Sequence, residues 1–315
     1  MVNLDEELNV CVLMGGTSSE REVSLKSGGK VYEALKAGRK ELIPVRGEFS
    51  REGEILDLVK SPDIVFNALH GGIGEDGTVQ ALLDILDVPY TGTGPLGSSI
   101  AMNKLYSKAA FHRASVKTPG FVEGAGRSPD NIVDRVSSEL GFPVVIKPVG
   151  EGSSRGVEIA DSEEDLVDKV VQVREEYGRL FLEEYVDGKE VTAGVLEDSS
   201  GPVPLPLVEL NVKRERFYNY KAKYTPGETE FICPAKLSAE VAESVKEEAL
   251  RAHSEFGCRG YSRVDFLVDS ENNIFGLEVN TLPGMTQTSD LPIAAKEAGI
   301  GFTELVERMT MSALD

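Results

Sequence analysis

At 315 residues the chain is too long for one small core, and two or three domains are expected. Its 33 basic and 53 acidic side chains give a net charge of −20, which argues against nucleic acid and anionic membranes as partners. Any phosphate site must therefore be a local island of Lys, Arg and backbone N–H groups.

Residues 9–14 form an apolar strand, turned by Gly15-Gly16-Thr17. Ser19-x-x-Glu22 reads as a capping box that opens a helix running to about Ala37. Residues 42–45 are a short strand, and 47–60 read as polar loop plus a short helix. Residues 63–69 form a second clear strand, followed by His70-Gly71-Gly72-Ile73-Gly74-Glu75-Asp76-Gly77 and a helix over 78–86. Strand, glycine loop and helix, repeated, predict an open parallel α/β sheet with its ligand crevice at the carboxyl ends of the strands. Residues 103–115 are helical and basic. The strand at 143–147 leads through the glycine loop 150–156 into another strand at 157–160, so this loop is a flap between strands. A Walker-type loop would instead open a helix. An amphipathic helix at 163–177 and strands at 180–184 and 190–196 follow. From Val208 the chain enters a long polar loop at 213–230, and Ser238 then caps a helix that Gly257 ends. Cys11, Cys233 and Cys258 are odd in number and lack metal-ligand spacing, which predicts reduced thiols in a cytoplasmic protein. The first ten residues lack the apolar stretch of a signal peptide, and no segment has transmembrane length.

The most informative segment is a hairpin, with strands at 261–268 and 274–280 around the turn 269–273. Side chains two apart share a face, so Arg263 pairs in direction with Asp265, and Glu278 with Asn280. If Asp269 opposes Ile274, Asp265 lies opposite Glu278 and Arg263 opposite Asn280, with Cβ atoms roughly 5 Å apart. Two carboxylates and an amide oxygen that close call for a cation, and an oxygen-only set suits Mg²⁺ with phosphates as further ligands. An arginine beside them suits a transferring phosphoryl group or an oxyanion. Four such residues alone fit an exposed hairpin of solvated charges equally well.

The glycine flap lets backbone N–H groups approach phosphate oxygens, and Lys147 at the end of the preceding strand can reach them as a point charge. A plain β-hairpin is the alternative. Residues 180–186 end in a hinge able to present backbone groups to an adenine edge, with Glu190 near ribose hydroxyls, or they are an ordinary acidic connector. Glu20, near a strand end, is placed to take an ammonium group, or belongs to a simple cap. His70 faces the same crevice, although a lone histidine is more often structural. His112 and His253 carry no assigned role.

Together the motifs Gly15-Gly16-x-Ser18-x-Glu20-Arg21-Glu22-Val23-Ser24, Ala68-Leu69-His70-Gly71, Gly74-Glu75-Asp76-Gly77, Glu151-Gly152-Ser153-Ser154, Arg263-x-Asp265 and Glu278-x-Asn280-x-x-Pro283-Gly284-Met285 resemble the D-alanine–D-alanine ligase family of ATP-grasp enzymes. The resemblance covers essentially the whole chain in order. It implies an α/β ATP-grasp fold: an N-terminal Rossmann-like domain at 1–103, a small central α+β domain at 104–190, and a C-terminal α+β domain at 191–315 with a lid loop at 213–230. ATP would lie between two small sheets, contacted by Lys104, Lys147, Glu151, Ser153, Ser154 and Lys223 at its phosphates. Glu183, Glu184 and Val186 would meet adenine, and Glu190 ribose. Asp265, Glu278 and Asn280 would hold two Mg²⁺ ions, for which Mn²⁺ can substitute. The first D-alanine would meet Glu20, Val23 and His70. Arg263 and the Gly284 N–H would hold the oxyanion, and Ser289 the second carboxylate. Ser153 and Tyr224 would link to Glu20 and close the site. A homodimer through the N-terminal domain is also implied.

Asp290 departs from the pattern, since the family usually has leucine beside the second substrate. A carboxylate there either repels the carboxylate at the product end or points away. Tyr224 stands where depsipeptide-forming relatives tend to carry phenylalanine, which favours D-alanine over D-lactate. The alternatives are an ATP-grasp ligase with another amino-acid or hydroxy-acid second substrate, and a non-catalytic nucleotide-binding module. A dinucleotide oxidoreductase fits poorly, because Gly15-Gly16-Thr17-Ser18 breaks the Gly-x-Gly-x-x-Gly spacing.

Overall fold

A computed structural model describes residues 7–213, 225 and 227–314. Lys223 and Tyr224, and with them most of the expected lid loop, lie outside the described residues.

Strand β1 (Leu8–Gly15) is apolar on both faces and buried almost throughout, as the middle strand of a parallel sheet must be. It lies between β2 (Leu42–Phe49) and β3 (Ile64–Asn67), both parallel to it. β2 runs four residues past the expected strand. Pairing with β1 as far as Gly15↔Phe49 overrides a polar composition that reads locally as loop. Helix α1 (Arg21–Ala37) covers the sheet. Its start corrects the predicted capping box: the helix begins at Arg21 after Glu20, with no side-chain cap bond. Ser18 Oγ instead accepts from Glu20 N at 3.2 Å and donates to His70 O at 2.5 Å, and Glu20 lines the crevice.

Gly28 lets α1 approach β1 closely, since a Cβ there would lie 2.6 Å from Met14 Cβ. Gly28→Ala is expected to destabilise the fold by about 1–2 kcal/mol, overpacking outweighing the helix-propensity gain. Urea denaturation checks this, and an unchanged midpoint would mean that Met14 simply moves aside.

Short helices α2 (Ile55–Val59), α3 (Thr78–Ile85) and α4 (Pro95–Met102) complete the N-terminal unit. Asn103 then N-caps α5 (Lys104–Arg113), accepting from Tyr106 N at 3.3 Å. A four-stranded antiparallel sheet follows, ordered β4-β7-β5-β6, from β4 (Phe121–Glu123), β5 (Val144–Pro148), β6 (Glu158–Ala160) and β7 (Leu180–Glu184). Helices α6 (Pro129–Glu139) and α7 (Glu163–Tyr177) bury Ile132, Val136, Leu166 and Val170 against Val144, Ile146 and Leu182.

The third sheet is antiparallel, ordered β11-β10-β8-β12-β13, with β9 (Gly201–Pro204) also on β8. Its other strands are β8 (Gly188–Asp198), β10 (Val208–Val212), β11 (Thr229–Ile232), β12 (Tyr261–Asp269) and β13 (Ile274–Asn280). β10 and β11 pair directly, so the polar segment expected at 213–230 is shorter than predicted and Thr229-Glu230 already belong to a strand. Helix α8 (Ala239–Glu255), capped by Ser238 as predicted, packs Val245, Ala249 and Ala252 with Phe111 of α5 against Val264 and Phe266. Helices α9 (Asp290–Glu297) and α10 (Phe302–Met311) share a core with α1 and β1 through Leu291, Leu305, Val31 and Val10. Arg259 also donates to Tyr90 O and Gly92 O at 3.1 Å, tying β12 to the N-terminal unit.

Among the described residues no helix is long and apolar enough to cross a membrane. Cys11, Cys233 and Cys258 are free thiols, which burial pushes up to about 11, about 11 and about 12.

Candidate active site

Alternation along β12 sends Val264 and Phe266 into the α8 core and Arg263 and Asp265 to the opposite face. Across the hairpin Arg263 opposes Asn280 and Asp265 opposes Glu278, as predicted. The expected Asp269–Ile274 pairing is wrong, because Val268 opposes Ile274. A bulge between Asp265 and Phe266 absorbs the one-residue difference, Leu277 being the extra residue on β13, and keeps both carboxylates on the cleft face.

Two cavities meet at this hairpin. The larger, about 550 Å³, is lined by Glu20, Val23, His70, Ser153, Arg263, Asn280, Gly284, Ser289 and Asp290 among others. The smaller, about 140 Å³, lies between the two antiparallel sheets and is lined by Lys147, Ser154, Glu183, Glu184, Val186, Glu190 and Asp265 among others. Lys104 and Glu278 line both. Most of the predicted site residues are therefore brought together. Glu151 lines neither cavity; its backbone carbonyl accepts from Lys104 Nζ at 2.6 Å.

In the larger cavity Ser153 on the glycine flap donates to Glu20 Oε1, joining chain segments 133 residues apart. Ser153 and Ser154 have φ of 50° and 56°, so the flap holds two non-glycine residues in the left-handed region, a strained backbone common at ligand sites. His70 is buried, with Nε2 3.0 Å from Ser27 Oγ and Nδ1 3.4 Å from Glu75 Oε1. Ser27 Oγ also accepts from Met285 N at 3.2 Å, which fixes the turn after β13 against α1. A Cβ on Gly284 would lie 2.8 Å from Ser289 Oγ, so glycine is needed for the backbone to approach that serine. Ser289 Oγ further accepts from Thr286 N at 3.2 Å.

Arg263 Nε and Nη2 donate to Asp265 at 2.8 and 2.7 Å, and Nη1 lies 3.4 Å from Asp290 Oδ2. Burial works against the guanidinium charge, but Asp265 and Asp290 more than offset it and hold its pKa above the ordinary arginine value. Asp290 therefore turns to Arg263 while still lining the larger cavity beside Ser289. Thr192 of β8 donates to Asp265 Oδ1 at 2.7 Å.

In the smaller cavity the carboxylate of Glu183 is engaged by Lys147 and by Lys108 of α5. Burial would raise the Glu183 pKa; the two lysines hold it below the usual carboxylate range. Lys104 Nζ lies 3.7 Å from Glu278 Oε2. Lys104, Lys147 and Arg263 bring to the cavities the cations a phosphate site needs in a chain of charge −20, each paired with a carboxylate: Glu278, Glu183, and Asp265 with Asp290. Lys108 and Thr192 escaped the sequence reading. Lys108 carried a signal, one helical turn from Lys104 on a basic helix. Thr192 carried none, because it faces Asp265 only through the β8–β12 register.

Among the described residues no group of three or more His, Cys, Asp or Glu forms a ready metal cage. Asp265 and Glu278 with the Asn280 amide still fit Mg²⁺, which takes one or two protein carboxylates and completes its shell with water and phosphate oxygens.

Two antiparallel sheets holding a lysine-lined cleft between them, with a carboxylate pair at its end and a parallel α/β unit beside it, define the ATP-grasp class. The family models described as D-ala D-ala ligase N-terminus and D-ala D-ala ligase C-terminus match residues 46–93 and 120–311. The D-alanine–D-alanine ligase of Thermotoga sp. (strain RQ2) is 45% identical over 309 residues, 97% of each chain. A crystal structure of D-alanine–D-alanine ligase from Bacillus anthracis complexed with ATP superposes with a TM-score of 0.84 at 30% identity, covering 98% of this chain and 97% of that one. The VanG D-Ala:D-Ser ligase from Enterococcus faecalis gives 0.83 at 25% identity, over 98% of this chain and 100% of that one. The chain belongs to the D-alanine–D-alanine ligase family.

Proposed function

We propose that this enzyme joins two D-alanine molecules, using ATP, through a D-alanyl phosphate intermediate, and so serves peptidoglycan precursor synthesis in the cytoplasm. The observation that carries the reading is the meeting of the two cavities at Lys104 and Glu278, beside the Arg263–Asp265 pair. A nucleotide in the smaller cavity would point its terminal phosphate at an amino acid in the larger. Three working parts, 1–103, 104–190 and 191–315, would contribute to that junction, with 213–228 as the lid.

A carboxylate oxygen of the first D-alanine attacks the γ-phosphorus. An O–P bond forms, ADP leaves, and a mixed anhydride results. Glu20, held by Ser153, takes the ammonium of this first D-alanine, with Val23 and His70 beside it. The amine of the second D-alanine attacks the acyl carbon, and its carboxylate is held by Ser289. Arg263 and the Gly284 N–H stabilise the tetrahedral oxyanion, which collapses with loss of phosphate and formation of the peptide bond. Such phosphoryl chemistry rests on positioning and charge neutralisation more than on covalent protein chemistry.

Lys104, Lys147, Ser153 and Ser154 would attend the phosphates, Glu183, Glu184 and Val186 the adenine, and Glu190 the ribose. Glu151 would act through the backbone that Lys104 contacts. Asp265, Glu278 and Asn280 would hold two Mg²⁺ ions, or Mn²⁺ in their place, which supply charge neutralisation at the phosphates. The roles proposed for Lys223 and Tyr224 rest on family resemblance alone. A homodimer through the N-terminal unit is supported by the exposed Ile43 and Val45 on the edge strand β2.

Phosphate release from ATP, Mg²⁺ and D-alanine, with the dipeptide identified by mass, tests the reading. Release with L-alanine at the same rate would sink it. The second substrate is the finer question, since a D-Ala:D-Ser ligase shares the fold. D-serine or D-lactate products forming faster than D-alanyl-D-alanine would replace D-alanine at that position.

Asp290→Asn removes a charge from Arg263 but leaves Asp265 on it. The expected result is a stability loss of about 1–3 kcal/mol by thermal melting. Half-saturation by D-alanine should change less than about tenfold, because the lost charge faced Arg263. A larger change would mean that Asp290 meets the substrate directly.

A further inference from the structure

Lys108 is 4% exposed and lines neither cavity. It donates to Glu183 Oε1, while Lys147 donates to the other oxygen, Oε2. Glu183 is itself 2% exposed and lines the smaller cavity together with Lys147. One carboxylate is thus shared between a lysine at the cavity wall and a lysine behind it. A buried ammonium is costly unless paired, and an apolar side chain of similar volume would fill the same space. Packing therefore does not explain a lysine here.

We propose that Lys108 is a positioning residue for the nucleotide. By claiming Oε1 it fixes the rotation of the Glu183 carboxylate. Lys147 is then held through Oε2 alone, with its remaining donors directed at the cavity. Without Lys108, Glu183 is free to turn both oxygens on Lys147 and draw it off the wall. The aromatic side of the cluster is closed by Phe121, whose ring centroid lies 5.9 Å from Lys108 Nζ and which packs edge-on against Phe181. Two lysines against one carboxylate also place more donors than acceptors beside a cavity meant for a polyanion. This inference rests on the reading of the smaller cavity as the nucleotide site.

The test uses calorimetric binding of AMP-PNP with Mg²⁺, together with steady-state kinetics, on the whole protein. Lys108→Met should weaken AMP-PNP binding by about tenfold or more and raise KM for ATP, leaving KM for D-alanine unchanged. Adenosine, which lacks the phosphates that Lys147 would meet, should bind as it does to the wild type, whereas loss of packing alone would weaken both. Lys108→Arg should recover part of the binding. If Lys108→Met fails to fold, Lys108→Gln, which keeps a polar group beside Glu183 but loses the charge and the reach of lysine, takes its place and should also weaken AMP-PNP binding. Wild-type AMP-PNP affinity in the foldable variant, or an equal loss for adenosine, would overturn the proposal. Absence of AMP-PNP binding to the wild type, or wild-type binding by Lys147→Met, would instead overturn the nucleotide reading of the cavity.

Discussion

Arg263→Lys should lower kcat for dipeptide formation by on the order of 10²–10³-fold while the protein stays folded. The guanidinium meets Asp265 side-on through Nε and Nη2 and faces Asp290 through Nη1. That arrangement needs a planar fork. Lysine keeps the charge but offers a single ammonium at the end of a flexible chain. It can neutralise one of the two carboxylates and cannot also present a fixed donor to a tetrahedral oxyanion. Arg263→Met should do worse in a different way: it leaves Asp265 and Asp290 without their shared cation and should cost about 3–5 kcal/mol of stability. Comparing kcat and melting temperature for the two variants separates the roles. A lysine variant with near-wild-type turnover would remove Arg263 from the chemistry and leave it as an ion-pair residue.

Glu278→Gln should raise the Mg²⁺ concentration needed for half-maximal activity by about 100-fold and lower turnover with it. Glu278 faces Asp265 across the hairpin, and both carboxylates line the smaller cavity. Two like charges so placed oppose each other in the folded protein, with Arg263 and Lys104 only partly relieving them. Removing one should therefore leave stability without metal within about 0.5 kcal/mol of wild type or above it. Loss of cation response with stability kept is the signature of a carboxylate held for a ligand. Direct titration of Mn²⁺ by electron paramagnetic resonance, with AMP-PNP present, measures binding apart from turnover. Unchanged cation affinity there would remove Glu278 from the metal set.

The hairpin shows how local information reaches a site and where it stops. Alternation placed Arg263, Asp265, Glu278 and Asn280 on one face, and the register at the site end followed. The turn end was misjudged by one residue, because a bulge at Asp265/Phe266 has no local signature in an alternating strand. Ser19 looked like a helix cap, yet no side chain caps this helix, and Ser18 instead holds the turn before it. The contact that places it, Ser18 Oγ to His70 O, spans 52 residues. β2 outran its expected end because parallel pairing with β1 outweighs local polarity.

By itself the sequence determined most of the elements that carry the site, the placement of both glycine loops after strands, and the chemical set at the hairpin. These follow from period-2 and period-3.6 patterning and from turn residues, all of which act within a few positions. Only the tertiary structure decided where the isolated charges point. Asp290 turned to Arg263, Thr192 to Asp265, and Lys108 and Lys147 to opposite oxygens of Glu183. A buried charge must find an opposite partner, and which partner is in reach depends on how separate sheets and helices pack.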